Sequence, residues 1–146
     1  MEVLFSSSDV QPRQRFAHWH DVACRRILGH EGRPRDPLHF GARIEFAGLD
    51  ECELIRLDNA PMDVCRSARV IERFPSDFAL VCRQISGTLH FEQGSRVATS
   101  AAGDFLFVDG QRPYAASFPL SSQMLVVKVP RPLLEAYMGL SRTSPA

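Results

Sequence analysis

The chain of 146 residues is expected to form one all-β domain, an antiparallel double-sheet barrel with a helix in front and a short helix behind. Three observations predict this. From Phe40 onward the apolar residues recur with the period of two that belongs to strands. Turn signals built on Gly, Pro, Asn and Asp interrupt that pattern every 8 to 12 residues or so, the spacing of short strands in sandwiches and barrels. The stretch Ser100–Phe118 then combines a Gly103-Asp104 turn, the apolar run Phe105 to Val108, the hairpin dipeptide Asp109-Gly110, Pro113 and a second short strand, Tyr114 to Phe118. That is the corner of a small barrel.

The front helix is expected to begin at the N-cap candidates Ser6 to Asp9, with Pro12 in its first turn. Phe16, Trp19, His20, Ala23 and Ile27 form one helical stripe, which predicts a helix docked on a sheet, ending at Gly29. Gly32, Pro34 and Pro37 predict a loop. Strands are expected at Phe40 to Gly48, Glu53 to Asp58 and Val64 to Glu72, the last with Val64, Arg66, Ala68 and Val70 on one face. Phe78 to Ile85 is almost continuously apolar, the mark of a central strand. Thr88 to Glu92 and Arg96 to Ser100 flank a hairpin turn at Gln93-Gly94-Ser95, and Met124 to Val129 is a further buried strand. Pro130 and Pro132 open a last helix through Leu133, Leu134, Tyr137 and Met138, with Gly139 placed to cap it.

Length suits a single domain with a core of its own, and a 45% apolar composition argues against disorder. Seventeen basic and seventeen acidic residues cancel, so the bulk charge directs the chain neither to nucleic acid nor to an anionic membrane. Lys128 is the single lysine, and every other basic residue is arginine, the side chain suited to planar pairing with carboxylates. The cysteines at 24, 52, 65 and 82 form no Cys-x-x-Cys pair and match no zinc spacing, so they are expected to be free thiols of a cytoplasmic protein. No apolar run approaches the roughly 20 residues of a membrane span.

Catalytic signals are lacking. There is no Gly-x-Ser-x-Gly elbow, and the strand pattern gives no cysteine a histidine partner. His90 and Glu92 share a strand face and could hold a metal in principle, but a solvated face explains them as well, and no metal is expected. The positive feature is arginine on apolar faces: Arg66 beside Val64, Ala68 and Val70, and Arg83 beside Val81 and Ile85. A guanidinium against an apolar wall requires a partner, either an internal acid or the carboxylate of a bound ligand. Tyr114, Phe105 and Phe107 could supply flat apolar contact in the same cavity or simply be core.

Taken in order, Arg15-Phe16-x-x-Trp19, Phe40, Arg66, Gln84-Ile85-Ser86-Gly87, Gly103-Asp104 with Pro113-Tyr114 following, and Val129-Pro130-Arg131-x-x-Leu134 carry a resemblance. The chain resembles the N-terminal, cupin-like sensing domain of AraC-type transcription regulators, in the branch whose effectors include aromatic acids and amines. The resemblance covers Ser8 to about Leu140. It implies a barrel that binds a small organic effector and biases a C-terminal helix-turn-helix region, so residues 141–146 are expected to begin a linker to that region and DNA to be reached only through it. Metal-binding cupins carry His where Tyr114 stands, which agrees with the expectation of no metal and no cofactor. The effector contacts expected are Arg66, Arg83 and Tyr114, with His90 behind them, and Phe16 and Trp19 are expected to couple helix to barrel. The domain is expected to have no chemistry of its own, and a homodimer is among the partners it allows. A small cupin enzyme, either an isomerase or a metal-dependent oxygenase, is the alternative, as is a dimerisation module with a filled barrel.

Overall fold

The computed structural model describes residues 1–138. β1 (Glu2–Ser6) leads through two 3-10 turns, Ser7–Asp9 and Pro12–Gln14, into helix α1 (Arg15–Arg26). β2 (Glu31–Pro34), β3 (Ala42–Leu49), β4 (Cys52–Asn59) and β5 (Met62–Arg66) follow, then the short helix α2 (Ala68–Arg73). The chain continues through β6 (Phe78–Ser86), β7 (Leu89–Gln93), β8 (Arg96–Ser100), β9 (Phe105–Asp109), β10 (Tyr114–Phe118) and β11 (Ser122–Pro130) to α3 (Arg131–Met138). The linker expected at residues 141–146, and Gly139 with it, lie outside the described residues.

Two antiparallel sheets form the barrel. One has six strands in the order β1-β3-β4-β11-β6-β9, the other five in the order β2-β5-β10-β7-β8. Alternation places Leu80 and Cys82 of β6, Met124 and Val126 of β11 and Ile55 of β4 on the inner face of the first sheet. Leu89 and Phe91 of β7 and Ala116 and Phe118 of β10 oppose them from the second. β6 is central as expected, paired on one edge with β11 and on the other with β9.

Helix α1 closes the wall through Trp19 and Ala23, both buried. The Trp19 and Phe16 rings meet Phe40, which precedes β3, with centroids 5.6 and 5.0 Å away. Phe40 is 1% exposed, and burial of such a ring contributes roughly 1.5–3 kcal/mol. Helix docking is therefore an aromatic contact between α1 and the start of β3.

Several expectations are corrected. The predicted strand Val64 to Glu72 is β5 followed by α2, because Arg66 turns inward and Ser67 starts a helix by accepting a hydrogen bond from the Val70 amide at 3.2 Å. β1 was not foreseen, and β2 was expected as loop; Pro34 ends an edge strand, where a missing N–H costs no ladder bond. Helix α1 starts at Arg15, with Pro12 in the preceding 3-10 turn, and no side chain caps it. Asp109-Gly110 is no hairpin. β9 pairs with β6 in one sheet and β10 with β5 and β7 in the other, so the chain crosses between sheets there. Gly110 has no positive φ, and what demands glycine is space, since a Cβ would sit 2.4 Å from the Phe78 carbonyl oxygen. Gly103, by contrast, has φ 91°, the turn conformation its place predicts.

Candidate functional site

Between the sheets, beneath α1, lies a cavity of about 90 Å³. Its wall is apolar apart from Asn59, Tyr114, His30 and the indole of Trp19, and among the described residues no Asp, Glu, Lys or Arg lines it. The Tyr114 ring packs against Phe91 with centroids 5.6 Å apart, and burial pushes its phenol pKa up, so it is a neutral donor and acceptor. Burial likewise pushes the Cys82 thiol up to about 12, which leaves it an inert part of the wall. Two polar atoms at this side of the molecule, Trp19 Nε1 and His30 Nε2, are buried without a hydrogen-bond partner. Native proteins leave few such atoms, and each calls for an explanation.

Of the residues expected to contact an effector, Tyr114 alone lines this cavity. Arg66 is wholly buried, with a different task. Its Nε donates to the Gly110 carbonyl at 3.0 Å, Nη1 to that of Gly29 at 2.7 Å and Nη2 to that of Phe74 at 2.9 Å. These oxygens belong to the β9–β10 crossover, the turn after α1 and the end of α2, so Arg66 pins three loops together. The internal acid offered as one partner for it is replaced by these three backbone carbonyls. The geometry is tight: a Cβ on Gly29 would come within 2.8 Å of the Phe74 side chain.

Arg83 and His90 point the other way. Arg83 is exposed on the outer face of β6, its guanidinium over the Phe105 ring at 5.4 Å. Phe105 and Phe107 are themselves outer-face residues, 68% and 37% exposed, while Leu106 and Val108 between them face the core. His90 is exposed on β7, with Nδ1 3.2 Å from the Thr99 hydroxyl. It belongs to an open cleft of about 600 Å³ on the outer face of the five-stranded sheet, where Glu31, Asp63, Glu92 and Ser117 also lie. Arg66, Arg83 and His90 thus occupy three separate environments. Phe16 and Trp19 stand at the helix–barrel contact, where coupling was expected.

One cluster was not foreseen. His20 and Cys24 share a face of α1 one turn apart, and His30, arriving from the following turn, completes a group whose ligand atoms all lie within 4.8 Å of one another. The Cys24 sulfur is 3.4 Å from His20 Nε2 and 3.8 Å from His30 Nδ1. Burial works to raise the Cys24 pKa, but hydrogen bonds from His20 and His30 outweigh it and hold the thiol at about 6. The same contact with Cys24 raises the pKa of His20. The His-x-x-x-Cys spacing was visible in the sequence, whereas the approach of His30 depends on where the helix stops. All four cysteines are free thiols.

Two antiparallel sheets closing around an apolar interior define a cupin-like barrel, and solved structures agree. The AraC-like transcriptional activator CuxR superposes with a TM-score of 0.77 at 22% identity, covering 92% of this chain and 50% of its own. An ethanolamine utilization protein Q structure from Salmonella typhimurium LT2 gives a TM-score of 0.50 at 13% identity, covering 62% of this chain and 71% of its own. Within that class the chain belongs to the AraC-binding-like domain family, which residues 19–145 match. An uncharacterized protein in the nit 5′ region of Bacillus sp. strain OxB-1 is 29% identical over all 146 residues. The chain spans 57% of that relative's length. Among the described residues no helix is long and apolar enough to cross a membrane.

Proposed function

We propose that this domain is the effector-sensing part of an AraC-type transcription regulator and that the effector binds in the cavity between the sheets. Family membership supports the regulatory reading. The observation that carries the site is an apolar cavity whose wall includes Trp19, with a buried, unpartnered indole N–H. Small-molecule sites have this composition: mostly apolar, with a few polar groups that fix orientation.

The cavity chemistry also narrows the effector. A carboxylate would need a cationic partner, yet Arg66 has its guanidinium committed to three backbone carbonyls and no Lys or Arg among the described residues lines the wall. The effector we propose is therefore small, largely apolar and uncharged. It presents an acceptor oxygen or nitrogen to Trp19 Nε1, with Tyr114 and Asn59 as further polar contacts. Trp19 also belongs to the α1–Phe40 contact, so an effector that prefers one seating of α1 shifts the population of helix positions, and with it a DNA-binding region elsewhere in the regulator. No covalent chemistry is assigned to the domain.

Trp19 is the single tryptophan, so its fluorescence reports directly on the site. A panel of small neutral aromatic and aliphatic compounds, beside matched carboxylates, is titrated while Trp19 emission and thermal stability are followed. A ligand at 100 times its Kd is expected to stabilise the fold by about 2.7 kcal/mol. Neutral members should bind in preference to the acids. A panel whose only binders are carboxylates that leave Trp19 emission unchanged would overturn this reading.

A further inference from the structure

The His20–Cys24–His30 cluster borders the effector cavity, whose wall includes His30, but none of its three members is among the effector contacts proposed above. His20 and Cys24 are held at i and i+4 on α1, a spacing that puts side chains on one face. Zn–S and Zn–N bonds of about 2.3 and 2.0–2.1 Å at the tetrahedral angle place sulfur and nitrogen about 3.5 Å apart. One ligand atom of each residue lies within 4.8 Å of the others, and His20 Nδ1 stands 3.9 Å from the sulfur, so side-chain adjustment that includes a turn of the His30 ring closes the group on an ion.

The hydrogen bonds around the rings fit the same purpose. His20 Nε2 lies 2.7 Å from the His30 carbonyl oxygen, and His30 Nδ1 lies 2.9 Å from that of Leu28. A carbonyl accepts, so the nitrogen facing it carries the proton, and each ring keeps its other nitrogen as a lone pair. An imidazole with one N–H on a backbone carbonyl is oriented as metal-bound histidines are. The lone pair so left on His30, at Nε2, is buried and has no partner.

We propose that His20, Cys24 and His30 bind a borderline transition-metal ion of the Zn²⁺ type, with its fourth position filled by water or by a donor from another molecule. One sulfur and two imidazoles suit Zn²⁺ and not the hard, oxygen-seeking Mg²⁺ or Ca²⁺. Binding forms a sulfur–metal bond with the Cys24 thiolate, displacing to solvent any proton the sulfur still carries, with no change in oxidation state. The ion joins α1 to the turn that enters β2. It would therefore fix the helix whose Trp19 walls the effector cavity, although the site stands whether or not an effector binds there.

The test is a Co²⁺ titration of the full chain, followed by absorbance. One equivalent should bind and give a thiolate-to-metal charge-transfer band. Cys24→Ser should abolish that band, Cys65→Ser should retain it, and His30→Gln should weaken binding at least about tenfold. A readout on the unaltered protein guards against a variant that fails to fold: Zn²⁺ should protect Cys24 from alkylation while exposed Cys65 stays reactive, as peptide mapping would show. Absence of one-equivalent binding, a charge-transfer band unchanged by Cys24→Ser, or alkylation of Cys24 unaffected by Zn²⁺ would each overturn the proposal. Failure of the effector panel has no bearing on these results.

Discussion

Arg66 and Trp19 both carry polar nitrogens into the interior, and they differ in one respect that separates architecture from function. Each nitrogen of the Arg66 side chain donates to a backbone carbonyl, so a buried charge is matched by three fixed dipoles and three loops are tied together. Trp19 is buried too, at 3% exposure, and lines the cavity, but its indole N–H has no hydrogen-bond partner. A satisfied buried group holds a structure together; an unsatisfied one beside a cavity is where another molecule gains by binding.

The largest effect is expected from breaking the Arg66 side. Arg66→Met keeps the stem but strands the carbonyls of Gly29, Phe74 and Gly110, and should lower stability by on the order of 3 kcal/mol or more in urea unfolding. Arg66→Lys should recover only part of this, because an ammonium cannot span the three directions of the guanidinium fork. A loss below about 0.5 kcal/mol for Arg66→Met, the range of ordinary surface changes, would mean that the three loops are held by other contacts.

The next effect separates the two sides by pH. Cys24 is faced by His20 and His30 at close range, with Asp21 beside His20 and the Arg66 and Tyr114 side chains further off. Its alkylation rate should titrate with a midpoint near 6, against roughly 8.5 for an ordinary thiol. Since its folded pKa is depressed, Cys24 contributes stability that is complete above the unfolded value and fades as pH falls through about 6. His20 acts in the opposite sense: its pKa is raised, so its contribution is complete below 6.5 and fades as pH rises through the folded value. Cys24→Ser should remove both trends from a pH series of unfolding curves. A Cys24 midpoint above 8 would show that the two imidazoles do not act on the sulfur.

Smaller still is Trp19→Phe, which keeps the ring against Phe40 but removes the N–H. Stability should change by less than about 1.5 kcal/mol, as for a swap that largely preserves shape, because no hydrogen bond inside the protein is lost. Effector affinity should nonetheless fall several-fold. Least of all, Arg83→Ala and His90→Ala remove exposed outer-face groups and should stay within about 0.5 kcal/mol of the parent while leaving effector binding unchanged.

Most of the barrel was legible because strand alternation and turn chemistry are local. β8 and β10 lie at the expected residues, and β4, β6, β7, β9 and β11 differ only at their ends. What failed required knowledge of the opposing surface. Val64, Arg66, Ala68 and Val70 alternate in sequence, yet Arg66 is drawn inward by carbonyls from three distant loops, and the alternation ends there. Arg83 and Arg66 look alike in sequence, each among apolar neighbours, but β6 turns its Cys82 and Gln84 face inward and leaves Arg83 in solvent. Phe105 and Phe107 were ambiguous for the same reason, since a four-residue apolar run does not say which of its faces is inside. The His20–Cys24–His30 cluster was half visible, as a spacing on one helix face without the third member that the chain reversal supplies.

The most direct test of the cavity as the effector site is to fill it. Ala116 of β10 lines the cavity and is 7% exposed, so Ala116→Leu puts three more carbons into the space between the sheets. Once circular dichroism has shown the variant to be folded, calorimetric titration with the tightest binder from the neutral panel decides the matter. Binding abolished in Ala116→Leu and unchanged in His90→Ala is the predicted result. Full affinity in Ala116→Leu, with loss in His90→Ala, would move the effector to the outer cleft and contradict the account.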